Sequence, residues 1–338
     1  MPDLTVAAGL ARGLVNLAVS KGADRGVLLA RAGIAEGDLA DQDTRIPFAK
    51  YVTLMRAGKE LAHDPALALH YGETSNFAEL SIVGLIGAAS ETMGEALLQL
   101  NRYGRLVVEF DGGPDRFARE AAGPDAWWLI DTRANPNDFP ELTESTFARM
   151  ICGPRTLGIP QIARAVHVTH PKPDYADEVA RVFGAPVTYD APRNAMLVDS
   201  KWTLHRIQTQ PRYVFGVLAE RADILMKELQ ASKTVRGRVE SLLMPVLHKG
   251  DASIDTIASK MALSRQTLFR KLKAEGTTFE KVLEELRHKL ALQYLKGGKV
   301  SVNECAYLVG FSDPAAFSRA FKRWEGRSPR EVRVGKVE

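Results

Sequence analysis

Along the last hundred residues of the chain, apolar positions recur at i, i+3, i+4 and i+7, and they do so twice. Ile254, Ile257, Ala258 and Met261 form the first set, and Val302, Cys305, Ala306 and Val309 form the second, 48 positions later. Each set marks one face of a short amphipathic helix. Ser253 and Ser301 stand just before them, where a hydroxyl can accept from the exposed amides of a new helix, and Glu304 completes a capping box with Ser301. Each helix is followed by a short turn, Ala262-Leu263-Ser264 or Gly310-Phe311-Ser312, and then a second helix. The second turn is one residue longer, so Leu268, Arg270, Leu272 and Lys273 correspond to Phe317, Arg319, Phe321 and Lys322 at an offset of 49. Between the copies, Phe279, Val282, Leu283, Leu286 and Leu290 predict one long connecting helix, ended by Gly297-Gly298.

Upstream the pattern is mixed. Leu4 to Val19 reads as an amphipathic helix, because Arg12 and Asn16 interrupt it where a secretory signal is uniformly apolar. Turn signals at Ala32-Gly33, Glu36-Gly37 and His63-Asp64-Pro65 divide the first hundred residues into short helices. Two strands are expected at Leu106-Val107-Val108-Glu109-Phe110 and Trp127-Trp128-Leu129-Ile130, with a turn at Asp111-Gly112-Gly113-Pro114. There follow a helix from Pro140 to about Met150, a strand from Ala165 to Thr169 and a helix from Tyr175 to Phe183. Strands at Val187 to Tyr189 and Ala195 to Val198 complete an α+β pattern. Helical spacing returns from Tyr213 to Leu229, and Gln230-Ala231-Ser232-Lys233 makes a polar boundary. The expected organisation is an α+β domain over 1–205, a helical linker over 206–234, and an all-α domain over 235–334 with two helix-turn-helix motifs joined by a long helix.

Length and composition support this division. A chain of 338 residues exceeds what one hydrophobic core usually serves. With 45% hydrophobic and 25% charged residues it is neither largely disordered nor rich in apolar runs of bilayer length, so a soluble protein with no membrane partner is expected. Cys152 and Cys305 are too few for a disulfide framework or a cysteine zinc site, which suits a reducing cytoplasm. The net charge of +4 hides an asymmetry. Residues 231–338 hold 21 Lys/Arg against 12 Asp/Glu, net +9, and the rest hold 24 against 29, net −5. One half is suited to a polyanion and the other is not.

Helix, tight turn and basic helix is the arrangement that lets the second helix enter a major groove while the first braces it, so double-stranded DNA is the expected partner. The candidate contacts of the first motif are Ser264, Arg265, Gln266, Thr267 and Arg270, with Lys271 and Lys273 directed to phosphates. Those of the second are Ser312, Asp313, Ala315, Ser318, Arg319, Lys322 and Arg323. The first set offers several donors to base edges. At the start of the second, Pro314, Ala315 and Ala316 offer none and can only touch thymine methyl groups, while Ser312 and Asp313 cap the helix. Arg270 and Arg319 could be merely solvated, but their place one turn into each second helix favours DNA contact. Arg287 either pins the connecting helix to the core or reaches a phosphate. Phe317, Phe321 and Trp324 have core spacing, and Cys305 reads as a buried thiol.

The segment from Leu308-Val309-Gly310-Phe311-Ser312-Asp313 to Phe317-Ser318-Arg319-Ala320-Phe321-Lys322-Arg323-Trp324, with Gly326, Ser328-Pro329 and Arg333, resembles the signature of the AraC/XylS family of transcription regulators. Ala258, Leu263-Ser264, Leu268, Arg270, Leu272, Gly276, Arg287 and Ala291 fit the same pattern, while Glu325 and Val332 depart from it. Leu28 to Ile34, Arg45-Ile46-Pro47 and Asp64-Pro65 resemble the α+β effector domain of one AraC subgroup. The resemblance implies a homodimeric, effector-controlled regulator, usually an activator, that contacts RNA polymerase.

Tyr103, Phe110, Trp127 and Trp128 are the candidate lining of an effector pocket, the alternative being ordinary buried aromatics. His167 and His170 lie three apart on an expected strand and face opposite sides, which argues against a metal site. Gly297-Gly298-Lys299 lacks the remainder of a phosphate-binding loop, and no catalytic motif or cofactor site is found. A regulatory enzyme fused to such a DNA-binding domain would need a clustered cysteine metal site and a reactive cysteine, whereas Cys152 and Cys305 are 153 positions apart. A regulator whose N-terminal domain only dimerises remains a further alternative.

Overall fold

Leu4 to Val19, expected as one helix, is a strand followed by a helix. Strand β1 (Thr5–Ala7) pairs antiparallel with β2 (Arg45–Pro47), Val6 lying opposite Ile46, and helix α1 (Ala8–Ser20) follows. The pairing continues past the strand, because the Ala8 and Gly9 amides donate to Thr44 O and Gln42 O at 2.8 and 3.0 Å, so the first turn of α1 has partners outside the helix. The computed structural model describes residues 4–159, 161–207, 210–249, 252–297 and 300–334. The chain divides into two units, residues 1–226 and 227–338.

In the first unit, helices α2 (Arg25–Ala32), α3 (Phe48–Leu61), α4 (Leu67–Thr74), α5 (Phe77–Leu80), α6 (Ile82–Ala89) and α7 (Met93–Val107) precede the main sheet. Side chains of Asp24, Ser81 and Thr92 cap α2, α6 and α7 by accepting from backbone amides. The sheet comprises β3 (Gly112–Ala121), β4 (Ala126–Arg133), β5 (Ala163–His167), β6 (Val187–Thr188) and β7 (Ala195–Asp199), in the order β3-β4-β7-β5-β6. All neighbours are antiparallel except β5 and β6. Helices α8 (Pro140–Thr156) and α9 (Ala176–Phe183) bury Phe147, Ile151, Val182 and Phe183 in one cluster with Leu129, Val166, Met196 and Val198 of the strands. This is an α+β layer with its core between the helices and the sheet.

One strand lies away from its expected place. Leu106 and Val107 belong to the end of α7, on its buried side with Leu97 and Tyr103, and Val108 forms only an isolated bridge to Val6. The expected turn at Asp111–Pro114 is instead the start of β3, where Gly112 takes φ +148° and the register shifts before Phe117. The hairpin turns at Ala122–Asp125 around Gly123, φ +102°. As an edge strand rich in charged residues, β3 lacks the apolar alternation that would have marked it.

Helix α10 (Arg212–Ser232) runs through Gln230-Ala231-Ser232, where a break was expected; polar residues without Gly or Pro do not stop a helix. The second unit contains α11 (Val235–Leu243), α12 (Ile254–Lys260), α13 (Arg265–Ala274), α14 (Phe279–Gly297), α15 (Val302–Leu308), α16 (Pro314–Glu325) and α17 (Pro329–Val334). It has two cores. Val239, Leu243, Ile257, Ala258, Leu268 and Leu272 pack with Val282 and Leu286 of α14, whereas Cys305, Ala306, Val309, Phe317 and Phe321 pack with Ala291 and Leu295 farther along the same helix. Helix α14 is described as far as Gly297, and Gly298 and Lys299, on which the rest of the expected helix end falls, lie outside the described residues. No helix among the described residues is long and apolar enough to cross a membrane.

Candidate nucleic-acid interface

Each motif is built from local capping chemistry. Ser253 Oγ accepts from Thr256 N at 3.1 Å and starts α12; Ser264 Oγ accepts from Thr267 N at 3.1 Å and starts α13. In the second motif Ser301 and Glu304 form the reciprocal capping box of α15. Helix α16 starts from Asp313, whose carboxylate accepts from Ala315 N and Ala316 N at 2.9 and 3.0 Å, with Pro314 in the first turn. Ser312 is exposed and lies just before the cap.

The turns differ. Ala262 holds the first at φ +54° and Gly310 the second at φ +80°. A Cβ at Gly310 would lie 2.4 Å from Leu247 O, so only glycine fits there. Arg287 donates from Nη2 to Gly310 O at 3.0 Å and lies over the Phe311 ring. It therefore pins the connecting helix to the second turn, and burial lowers its pKa from the usual guanidinium value.

On α13, Leu268 and Leu272 are buried, while Arg265, Gln266, Arg270, Lys271 and Lys273 are exposed and Thr267 is half-buried. Arg265 pairs with Asp255 of α12 at 3.2 Å, both in solvent, a pair weak enough to yield to another anion. Among the described residues, Arg270, Lys271 and Lys273 have no carboxylate within 4 Å. On α16, Phe317 and Phe321 are buried and packed with Phe311 and Trp324 in edge and tilted contacts, so these rings are core. Arg319 is 74% exposed and only 3.8 Å from Asp313, and Lys322 is exposed. Arg323 is engaged: it donates to Glu284 Oε1 of α14 at 2.6 Å, as does Trp324 Nε1. Ser318 Oγ bonds back to Pro314 O at 2.9 Å. Ala315 is exposed. Two residues that depart from the family signature have structural partners. Glu325 accepts from His288 Nε2 at 2.6 Å, and Val332 closes the second core. Cys305 is fully buried and its thiol is pushed up to about 11 by burial, which leaves it inert.

The four aromatics proposed for an effector pocket are dispersed. The Tyr103 hydroxyl donates to Asp223 at 2.8 Å, and Phe110 is covered by Arg105 and Arg116. Trp127 packs on Trp202 and Arg119, and Trp128 packs on His167 and Arg193. None lines the cavity of about 540 Å3 in this unit. That cavity is walled by faces of α7 and α8, by Arg116 and Phe117 of β3, and by the Thr74–Ala78 segment. His167 and His170 do not converge, since His167 stacks on Trp128 while His170 is buried beside Glu144. A group that spacing did not reveal, His70, Glu73 and Glu178, brings three ligand atoms within 4.8 Å of one another. Its charge is already balanced: Arg181 bonds both carboxylates at 2.7 to 2.9 Å, Lys21 pairs with Asp64, and Asp64 holds the other His70 nitrogen at 2.6 Å. Hydrogen bonds from Arg181 and His70 hold Glu178 down to about 2, as in a structural ion-pair network tying α4 to α9.

Comparison with known proteins gives this geometry a lineage. Residues 22–207 match the arabinose-binding domain of AraC transcription regulator, N-terminal, and residues 257–334 match a helix-turn-helix domain. The chain is 26% identical over 332 residues to the ornithine utilization regulator of Pseudomonas aeruginosa, covering 96% of this chain and 94% of that one. It is 25% identical to the transcriptional regulator VirS of Mycobacterium tuberculosis, covering 95% and 94%. Over 83 residues, 24% of this chain and 30% of the relative, it is 40% identical to the transcriptional activator RhaS of Escherichia coli. The chain belongs to the AraC family and is a transcription regulator, not an enzyme, that joins an arabinose-binding-type N-terminal domain to a helix-turn-helix DNA-binding domain.

Proposed function

We propose that the protein is an effector-controlled transcription activator that works as a homodimer on promoter DNA in the cytoplasm and contacts RNA polymerase. Residues 235–334 grip two adjacent major-groove segments through α13 and α16, and residues 1–205 bind the effector and dimerise. The observation that carries the reading is the surface of α13: behind a capped turn, Gln266, Arg270, Lys271 and Lys273 are exposed, while Leu268 and Leu272 anchor the helix from below. Helix α16 contributes differently, with Arg319 and Lys322 free to reach DNA and Ser318, Arg323 and Asp313 engaged within the fold. The first motif reads bases and the second mainly positions the protein.

Effector control is supported by the cavity of about 540 Å3, within the range of small-molecule sites. Dimerisation is supported by Tyr213, Val217 and Ile224, apolar residues of α10 left exposed at heptad-compatible spacing. The test is retention of promoter fragments by the full-length protein. Wild type retains a specific subset at moderate salt, and a variant carrying both Arg270→Ala and Arg319→Ala does not. Equal retention by the two would overturn the assignment.

A further inference from the structure

The cavity in the first unit is lined by both apolar and polar side chains, and its polar groups are unevenly engaged. Leu97, Leu100, Phe117, Leu142, Met150 and Trp202 supply an apolar wall. Most of the polar side chains that reach the cavity already have partners. Arg116 holds Asp131 through two hydrogen bonds, at 2.9 and 3.1 Å. Both oxygens of Glu73 accept from Arg181. Asn76 caps Ala78 N and donates to Glu79, and the hydroxyls of Thr74 and Thr156 donate to backbone carbonyls of their own helices.

Arg149 is different. It lies on α8 in the row Leu142, Thr146, Arg149, Gly153, one face of the helix at i, i+4, i+7 and i+11, and all four residues line the cavity. Its Nε donates to Ser75 Oγ at 3.1 Å, and its guanidinium lies over the rings of Tyr71 and Phe77 at 5.2 and 5.5 Å. Its Nη2 is buried with no hydrogen-bond partner, and no carboxylate among the described residues lies within ion-pair distance of it. A guanidinium has five donors in a planar fork suited to a carboxylate, and leaving a buried one unmet is costly.

We propose that the effector is a small monocarboxylic acid with an apolar body, its carboxylate held by Arg149 and its body lying between α7 and α8. The proposal rests on the reading of this cavity as the effector site. Among the described residues of the lining, Arg149 is the cation without a carboxylate partner, Arg116 sharing Asp131 with Arg133, and a single open cation favours a monoacid over a phosphate ester or a diacid. The apolar wall leaves the hydroxyls of a sugar without enough partners, which argues against a ligand of the kind that the N-terminal family is named for.

Two glycines make the test clean. Gly104 of α7 and Gly153 of α8 both line the cavity, and a Cβ at either meets nothing within 4 Å. Gly153→Leu therefore fills space without a backbone clash and improves helix propensity. Occupancy is read with the uncharged fluorophore N-phenyl-1-naphthylamine on the full-length protein, and displacement with octanoate, 1-octanol and L-arabinose.

The expected result is that the fluorophore binds wild type and not Gly153→Leu, and that arabinose does not displace it. Octanoate displaces it at a concentration about tenfold or more below that of octanol, the scale of a hydrogen bond to a charged group. Arg149→Gln removes that difference, and Arg149→Lys keeps part of it. Because Arg149 also packs on two rings, each variant's melting curve without ligand accompanies the titration. Equal displacement by acid and alcohol, or an acid preference that survives Arg149→Gln, overturns the ligand class and leaves the effector-site reading standing. A fluorophore that fails to bind wild type, or binds Gly153→Leu equally well, removes that reading and the proposal with it.

Discussion

In the first helix-turn-helix motif Ala262 holds the turn in the left-handed region, aliphatic Leu268 and Leu272 fill the core, and the polar side of α13 is largely unpaired. In the second, Gly310 holds the turn because Leu247 O leaves no room for a Cβ, and Phe317 and Phe321 fill the core. Three further ties, Arg287 to Gly310 O, Glu284 to Trp324 and Arg323, and His288 to Glu325, fasten the second motif to α14. The same sequence plan thus gives two unlike surfaces. Side chains that lock the second motif to the connecting helix are engaged within the fold, and the polar side chains of α13 are left exposed, the contrast on which the proposed division between reading and positioning rests.

The largest effect expected from this contrast is on stability. Phe321→Ala should cost about 3 to 5 kcal/mol and raise hydrogen exchange across α15 and α16, whereas Leu272→Ala should cost about 2 to 5 kcal/mol and raise it across α12 and α13. If either variant loosened both motifs equally, the two cores would be one cooperative unit and the comparison would fail. Next come the turns. Gly310→Ala should lower the unfolding free energy by more than about 1 to 2 kcal/mol, the cost of the left-handed conformation alone, because the clash with Leu247 O adds to it. Ala262→Gly should stay within about 1 kcal/mol of wild type, since relief of strain offsets the added freedom of the unfolded chain.

Binding effects are comparable or smaller. Gln266→Ala should cost about 1 to 3 kcal/mol of operator affinity and relax base preference in one half of the site, while Ala315→Ser should change little. The smallest effect is that of Lys271→Ala or Lys273→Ala. Either should weaken all sequences alike and flatten the slope of log affinity against log salt by up to about 0.9 for each phosphate that the protein no longer neutralises. A titration with unchanged slope would show that these lysines do not reach the backbone.

Sequence revealed these regions unevenly, for physical reasons. The double motif rests on local signals, since Ser253, Ser264 and Ser301 each cap a helix within three residues and the apolar period is set by the helix itself. Local signals failed at β3, whose place is fixed by pairing with β4 and not by its own pattern, and at Leu4–Val19, where pairing with Arg45–Pro47 overrides the helical period. The cavity was illegible because α7, α8, β3 and the Thr74–Ala78 segment meet only in three dimensions. Its sequence trace was Gly87, Gly104 and Gly153, glycines inside helices at which a Cβ would meet nothing within 4 Å. The aromatics favoured in their place pack against cations and against rings outside the set.

The unequal use of the two motifs is tested most directly by selecting binding sites from random duplexes with the full-length protein, side by side for wild type and Arg270→Ala. Strong base preference should emerge in one half of the wild-type site and weak preference in the other, and the substitution should erase the strong half alone. Equally strong preference in both halves, unchanged by Arg270→Ala, would contradict the division of labour between reading and positioning.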